Sequence, residues 1–199
     1  MKFSNGYWLD RDGYRVSKAR GLLGLTVDDD GAVHAYAPVR PVLTRGDTLN
    51  TALLSATFTA VADGVIRVDL VHHKGRRERG PRVEVLTDPV YRGVVERQGD
   101  GLVLRAGDLA VSLAEGEDWT ASFTHDGRLL TASLPRAIAH VTAPDGRTYM
   151  REQLSLRPGE RVYGLGERFG AFTKNGQTVD IWNEDGGTAS EQAYKNVPF

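Results

Sequence analysis

The sequence predicts an all-β fold, an antiparallel β-sandwich, and three observations carry that reading. Asp-Gly pairs recur along the chain, the segments between them alternate apolar and polar residues, and convincing helical periodicity is nearly absent. The pairs stand at Asp12-Gly13, Asp30-Gly31, Asp63-Gly64, Asp100-Gly101, Asp126-Gly127, Asp145-Gly146 and Asp185-Gly186. Both residue types tolerate the positive φ that tight hairpins demand, so each pair marks a turn between strands.

Taken in order, Leu53 to Val61 sets Leu54, Ala56, Phe58 and Ala60 on one face and mostly small polar groups on the other. Val65 to Val71 repeats that period of two. Leu102–Leu104, Leu109–Leu113, Trp119–Phe123, Ala137–Val141 and Tyr149–Leu156 read as further short strands. The best helical candidate is a short turn near Glu191 to Lys195, with Thr188 or Ser190 as cap. Asp28-Asp29-Asp30-Gly31 lacks the spaced oxygens and terminal glutamate of a calcium loop, so it reads as a hairpin turn.

A chain of 199 residues with 40% hydrophobic and 26% charged residues can fill a core, which argues against disorder. A net charge of -1 points to neither nucleic acid nor an anionic membrane. The absence of cysteine excludes disulfides and thiolate chemistry and removes the commonest zinc ligands. No apolar run has the length of a signal peptide or membrane span, and a cytoplasmic protein is the simplest expectation. The apolar end, Asn196-Val197-Pro198-Phe199, predicts a chain cut inside a larger protein.

Few residues offer chemistry on spacing alone. Gly164-Leu165-Gly166 lacks the third glycine and the βαβ setting of a nucleotide loop; it suits a tight strand crossing, with Glu167 and Arg168 as a local ion pair. His72 and His73 would point to opposite strand faces, and His34, His125 and His140 read as single surface or pocket-edge residues. The basic run Lys74–Arg79 reads as a solvated loop. Asp180, Glu184 and Asp185 on one exposed hairpin would lack the enclosing walls that split two carboxyl pKa values. From spacing alone, Trp182-Asn183-Glu184-Asp185-Gly186-Gly187 reads as a hairpin turn, with Asp185-Gly186 as turn residues and Trp182 in the core.

The stretch from Arg161 to Phe199 carries a resemblance. Its motifs are Tyr163-Gly164-Leu165-Gly166-Glu167-Arg168-Phe169, Lys174-Asn175-Gly176-Gln177-Thr178, Trp182 to Gly187, and Glu191-Gln192-Ala193-Tyr194-Lys195-Asn196-Val197-Pro198-Phe199. Together they resemble the end of the N-terminal domain of glycoside hydrolase family 31, especially its bacterial α-xylosidase branch. Gly6-Tyr7-Trp8-Leu9 and the Gly80-Pro81 turn are compatible with it.

The resemblance implies a galactose-mutarotase-like β-sandwich over residues 1–199, truncated at its C-terminal end. A (β/α)8 catalytic barrel would follow and carry both aspartates of a retaining exo-α-glycosidase, so no catalytic residue is expected in this segment. The segment would contribute Asp185, Trp182, Asn183 and Glu184 to the site of an oligosaccharide or glycoside substrate. It implies no metal and no organic cofactor, the enzyme's own barrel as partner, and a possible homo-oligomer. The rival expectation is a stand-alone carbohydrate-binding sandwich that uses Trp119 or Trp182 as exposed platforms; a mutarotase-like enzyme is a third.

Overall fold

The computed structural model describes residues 9–72, 91–183, 193 and 195–198. Two compact units make up the chain, residues 13–155 and residues 1–12 with 156–199. The expected turn near Glu191, the Lys74–Arg79 run, the Gly80-Pro81 turn and Gly6-Tyr7-Trp8 lie outside the described residues.

In the larger unit the strands are β1 (Arg15–Lys18), β2 (Gly24–Val27), β3 (Val33–Pro38), β4 (Leu53–Ala62), β5 (Val65–Val71), β6 (Val94–Gln98), β7 (Gly101–Ala106), β8 (Leu109–Ala114), β9 (Ala121–His125), β10 (Arg128–Ser133), β11 (Ala139–Thr142) and β12 (Thr148–Arg151). They form a four-stranded sheet β2-β3-β4-β5, a five-stranded sheet β10-β9-β8-β7-β6 and a three-stranded sheet β1-β11-β12. Every pairing is antiparallel. The two larger sheets pack face to face, β4 against β7 and β5 against β8. The expected all-β sandwich is therefore present.

Side-chain alternation explains why the sheets close on each other. Leu54, Ala56, Phe58 and Ala60 of β4 point inward and meet Leu102, Leu104 and Ala106 of β7 and Val111 and Leu113 of β8. Phe58 and Phe123 approach within 6.5 Å, ring centre to ring centre. Trp119 is 1% exposed, which corrects the expectation of an exposed sugar platform there. Its indole N–H donates to Ser133 Oγ at 2.8 Å, so the polar edge of a large ring is satisfied inside the core. A cavity of about 100 Å³ lies beside it, lined by Phe58, Leu70, Phe123 and Glu152 among others.

Among the described residues, turn chemistry follows the Asp-Gly pairs with one exception. Gly31, Gly64, Gly127 and Gly146 take positive φ after their aspartates. Between β6 and β7, however, Gly99 takes φ 57°, and Gly101 is the first residue of β7. A Cβ at Gly101 would stand 2.4 Å from the Leu113 carbonyl oxygen, so that glycine permits close strand approach instead of a turn. In the β2–β3 hairpin, Asp28 accepts from the amides of Asp30 and Ala32 and from His34 Nε2 at 2.9 Å. Those bonds, His34 foremost, hold its carboxyl below the usual range, and the carboxylate is spent on the turn.

Tyr149–Leu156 is not one strand. β12 stops at Arg151, and Leu154 makes a single bridge to Ser133. Ser155 then donates its amide to the Ala132 carbonyl at 2.8 Å, while its Oγ accepts from the Ala132 amide. Those bonds draw the chain away from β11 and onto the edge of β10.

Candidate functional site

The stretch that carries the family motifs falls within the unit of residues 1–12 and 156–199. Its framework is a close approach of two backbone segments. Gly164, Leu165 and Gly166 all take positive φ, at 94°, 71° and 87°. A Cβ on Gly166 would lie 2.2 Å from the Lys195 carbonyl oxygen. That fits the expected tight crossing, formed here by irregular chain. Glu167 N–H donates to the same carbonyl at 3.1 Å, which closes the contact.

Polar side chains lock the crossing. Arg168 donates through Nε to the Leu165 carbonyl at 3.1 Å and through Nη2 to the Asp180 carbonyl at 2.9 Å and to Asn196 Oδ1. Asn196 in turn donates its Nδ2 to the Trp182 and Ala193 carbonyls, each at 2.7 Å, and to Asn183 Oδ1 at 2.9 Å. Its backbone amide also reaches Asn183 Oδ1, at 3.1 Å. Glu167 lies 3.3 Å from Lys195 Nζ, so its ion partner comes from the far segment. The local pair with Arg168 that adjacency suggested gives way to this cross-chain arrangement. Nearby, Asn175 Oδ1 accepts from the Val162 amide, and Lys174 Nζ donates to the Ala171 carbonyl at 2.6 Å.

The expected site residues separate on this frame. Trp182 is 73% exposed, so its indole is not core and faces solvent. Asn183 uses its Oδ1 to hold Asn196, and it pairs with Ala193 as an isolated parallel bridge. Glu184 and Asp185 lie outside the described residues. Sequence reasoning passed over Arg168 and Asn196 as site residues, although their bonds fix both ends of the Trp182–Ala193 segment. The signal available was a motif arginine and a motif asparagine flanking one loop.

Two other clusters emerge in the larger unit. Among the described residues, Asp108, His125 and Asp126 bring one ligand atom each within 4.8 Å of one another, all exposed. His72, expected to point away from His73, and His140, expected as a single residue, pack ring against ring with centres 4.1 Å apart and planes tilted by 41°. Burial first, then His72 and Arg15, pushes the His140 pKa below its ordinary 6.5. Folding therefore disfavours the proton, and the unfolded chain takes it up first as pH falls through about 6.5. We expect the urea midpoint to drop between pH 8 and pH 5, and His140→Gln to flatten that drop. Glu152 contributes with opposite sign: burial beside the inter-sheet cavity raises its pKa above 4.5, offset in part by a bond from Ser133. Equal pH slopes in the two proteins would remove His140 from the account.

Fold and motif geometry together define an antiparallel β-sandwich domain with a locked backbone crossing near its C-terminal end. A family described as the glycosyl hydrolase 31 N-terminal galactose mutarotase-like domain matches residues 55–199. The chain belongs to that family. It is 42% identical over 201 residues to the α-xylosidase XylQ of Lactiplantibacillus pentosus, covering 100% of this chain and 26% of that protein. It is 40% identical over 219 residues to an α-xylosidase of Emericella nidulans, covering 100% of this chain and 28% of the relative. The chain thus spans about a quarter of the length of these relatives. Among solved structures it resembles the uncharacterized protein lmo2446 of Listeria monocytogenes EGD-e. The TM-score is 0.56 at 15% identity, over 83% of this chain and 14% of that one, a likeness of fold alone. Among the described residues no helix is long and apolar enough to cross a membrane.

Proposed function

We propose that the chain serves as the N-terminal part of a retaining exo-α-glycosidase, of α-xylosidase type with α-glucosidase next, acting in the cytoplasm on terminal α-linked sugars. The observation that carries this reading is the identity of 42% and 40% to two α-xylosidases across the whole chain. The catalytic carboxylate pair, about 5 Å apart in a retaining enzyme, would be supplied by a (β/α)8 barrel outside residues 1–199. The segment from Trp182 to Gly187 would border the sugar, with Asp185 accepting from a hydroxyl, Glu184 beside it and the exposed Trp182 offering an apolar face. Asn183 would hold the loop through Asn196 as well as stand near the substrate. The barrel is the partner of this domain in the reading, and a homo-oligomer is part of it.

In the parent enzyme, Asp185→Ala should lower kcat/KM on an aryl α-xyloside about tenfold, the worth of one charge-assisted hydrogen bond. Circular dichroism should show the fold retained. An unchanged kcat/KM would take Asp185 out of the site and with it the loop's role as a wall.

A further inference from the structure

We propose that a hollow in the larger unit, remote in sequence from the Trp182 loop, is a second saccharide site for an uncharged oligosaccharide. The inference rests on the reading of the parent as a glycosidase, since that supplies the ligand class. The hollow measures about 460 Å³, within the range of sites that hold small ligands. Leu23, Pro41 and Leu43 form the apolar wall over the buried Leu22, and Arg20, Arg40, Glu115 and Glu117 supply charge.

The frame is fixed by backbone bonds. Leu22 and Gly116 exchange two bonds of 3.0 Å, Arg20 N–H donates to the Pro38 carbonyl at 2.8 Å, and Leu23 N–H donates to the Tyr36 carbonyl at 2.8 Å. Gly21 lets the strands approach so closely that a Cβ there would sit 2.6 Å from the Gly116 oxygen. The walls are thus formed before any ligand arrives, which lowers the ordering cost of binding.

Charge decides the ligand. Two of the four ionic groups are already engaged: Arg40 donates to the Asp47 and Leu49 carbonyls, and Glu115 accepts from the Leu25 amide at 3.0 Å. Among the described residues, no side-chain bond or ion pair is formed by Arg20 or Glu117. Arginine offers only donors and glutamate only acceptors, so a ligand bridging them must both accept and donate. Two arginines and two glutamates leave the hollow with no net charge, which disfavours a phosphate, a carboxylate or a metal ion. Neutral vicinal hydroxyls meet both demands, and the C–H face of a pyranose suits the leucine and proline wall.

The test is amide chemical-shift mapping of the isotope-labelled chain, titrated with isoprimeverose and with cellotetraose. Saturable shifts at Arg20 to Leu23 and at Gly116 and Glu117 are expected. Arg20→Met and Glu117→Gln should each weaken binding about tenfold. No shift in the hollow with either sugar overturns the proposal, as do shifts there that both variants leave unaltered. Shifts confined to Trp182 and Asn183 also overturn it, while supporting the loop wall. The Asp185→Ala kinetics in the parent enzyme are independent of all these outcomes, so either reading can fail alone.

Discussion

Trp119→Ala should lower the thermal midpoint of the chain by about 10 °C, the effect of losing about 4 kcal/mol in a unit of this size. Trp119 is 1% exposed in the cluster that joins the two larger sheets, with Phe58, Leu104 and Val111. Truncation would merge the ring's volume with the adjoining cavity of about 100 Å³, and such a void can collapse little between two sheets. It would also strip the 2.8 Å donor from Ser133 Oγ, itself 3% exposed. Trp119→Phe separates the two effects. It keeps most of the apolar area and loses the N–H, so its cost should be about 1–2 kcal/mol. Thermal unfolding followed by circular dichroism checks both. A loss in the alanine variant no larger than in the phenylalanine variant would mean the site repacks and the indole is not central to the core.

The same tryptophan shows how far the sequence could be read. Its place in an alternating segment reads as strand, yet β9 begins only at Ala121, and the direction of the ring depends on the Trp119 amide bond to the Arg20 carbonyl and on where Ser133 arrives. Neither is local information. β4 was legible because Leu54, Ala56, Phe58 and Ala60 contrast sharply with the residues between them. β3 was not, since Val33-His34-Ala35-Tyr36-Ala37-Pro38 puts small alanines inward and a tyrosine outward, which weakens the contrast. The three-stranded sheet joins β1 to β11, strands more than a hundred residues apart, and no turn signal links them.

The site follows a similar division. The motif residues from Tyr163 onward carry the family resemblance as one long composite, not because spacing revealed a task. Their work in this structure is long-range: Arg168 reaches Asn196 across 28 positions, and Glu167 reaches Lys195. Adjacent Glu and Arg naturally suggest a local pair, and only the crossing of the segments supplies better partners. His72 and His140 are the reverse case. Nothing in the sequence links the two, and they meet because β5 ends where the three-stranded sheet presents β11.

Gly166→Ala should weaken the crossing by about 3 kcal/mol, the sum of a left-handed backbone cost and an overpacking cost. At φ 87° an L side chain is strained, and the new Cβ would stand 2.2 Å from the Lys195 oxygen and 2.7 Å from the Val197 nitrogen. Both neighbours are backbone, so no rotamer change relieves the clash. One segment must move away from the other. That movement would stretch the Glu167 N–H bond to Lys195 and slacken the bonds through which Asn196 holds Trp182 and Asn183. Gly159→Ala is the matched control, because Gly159 has φ 86° and nothing within 4 Å of its Cβ position. It should cost only the backbone share, about 1 kcal/mol. Amide hydrogen exchange at Glu167 and Asn196 should quicken about a hundredfold in the Gly166 variant and little in the Gly159 variant. Equal exchange in the two variants would show that the backbone angle alone matters, and that close packing of Gly166 on Lys195 does not hold the loop.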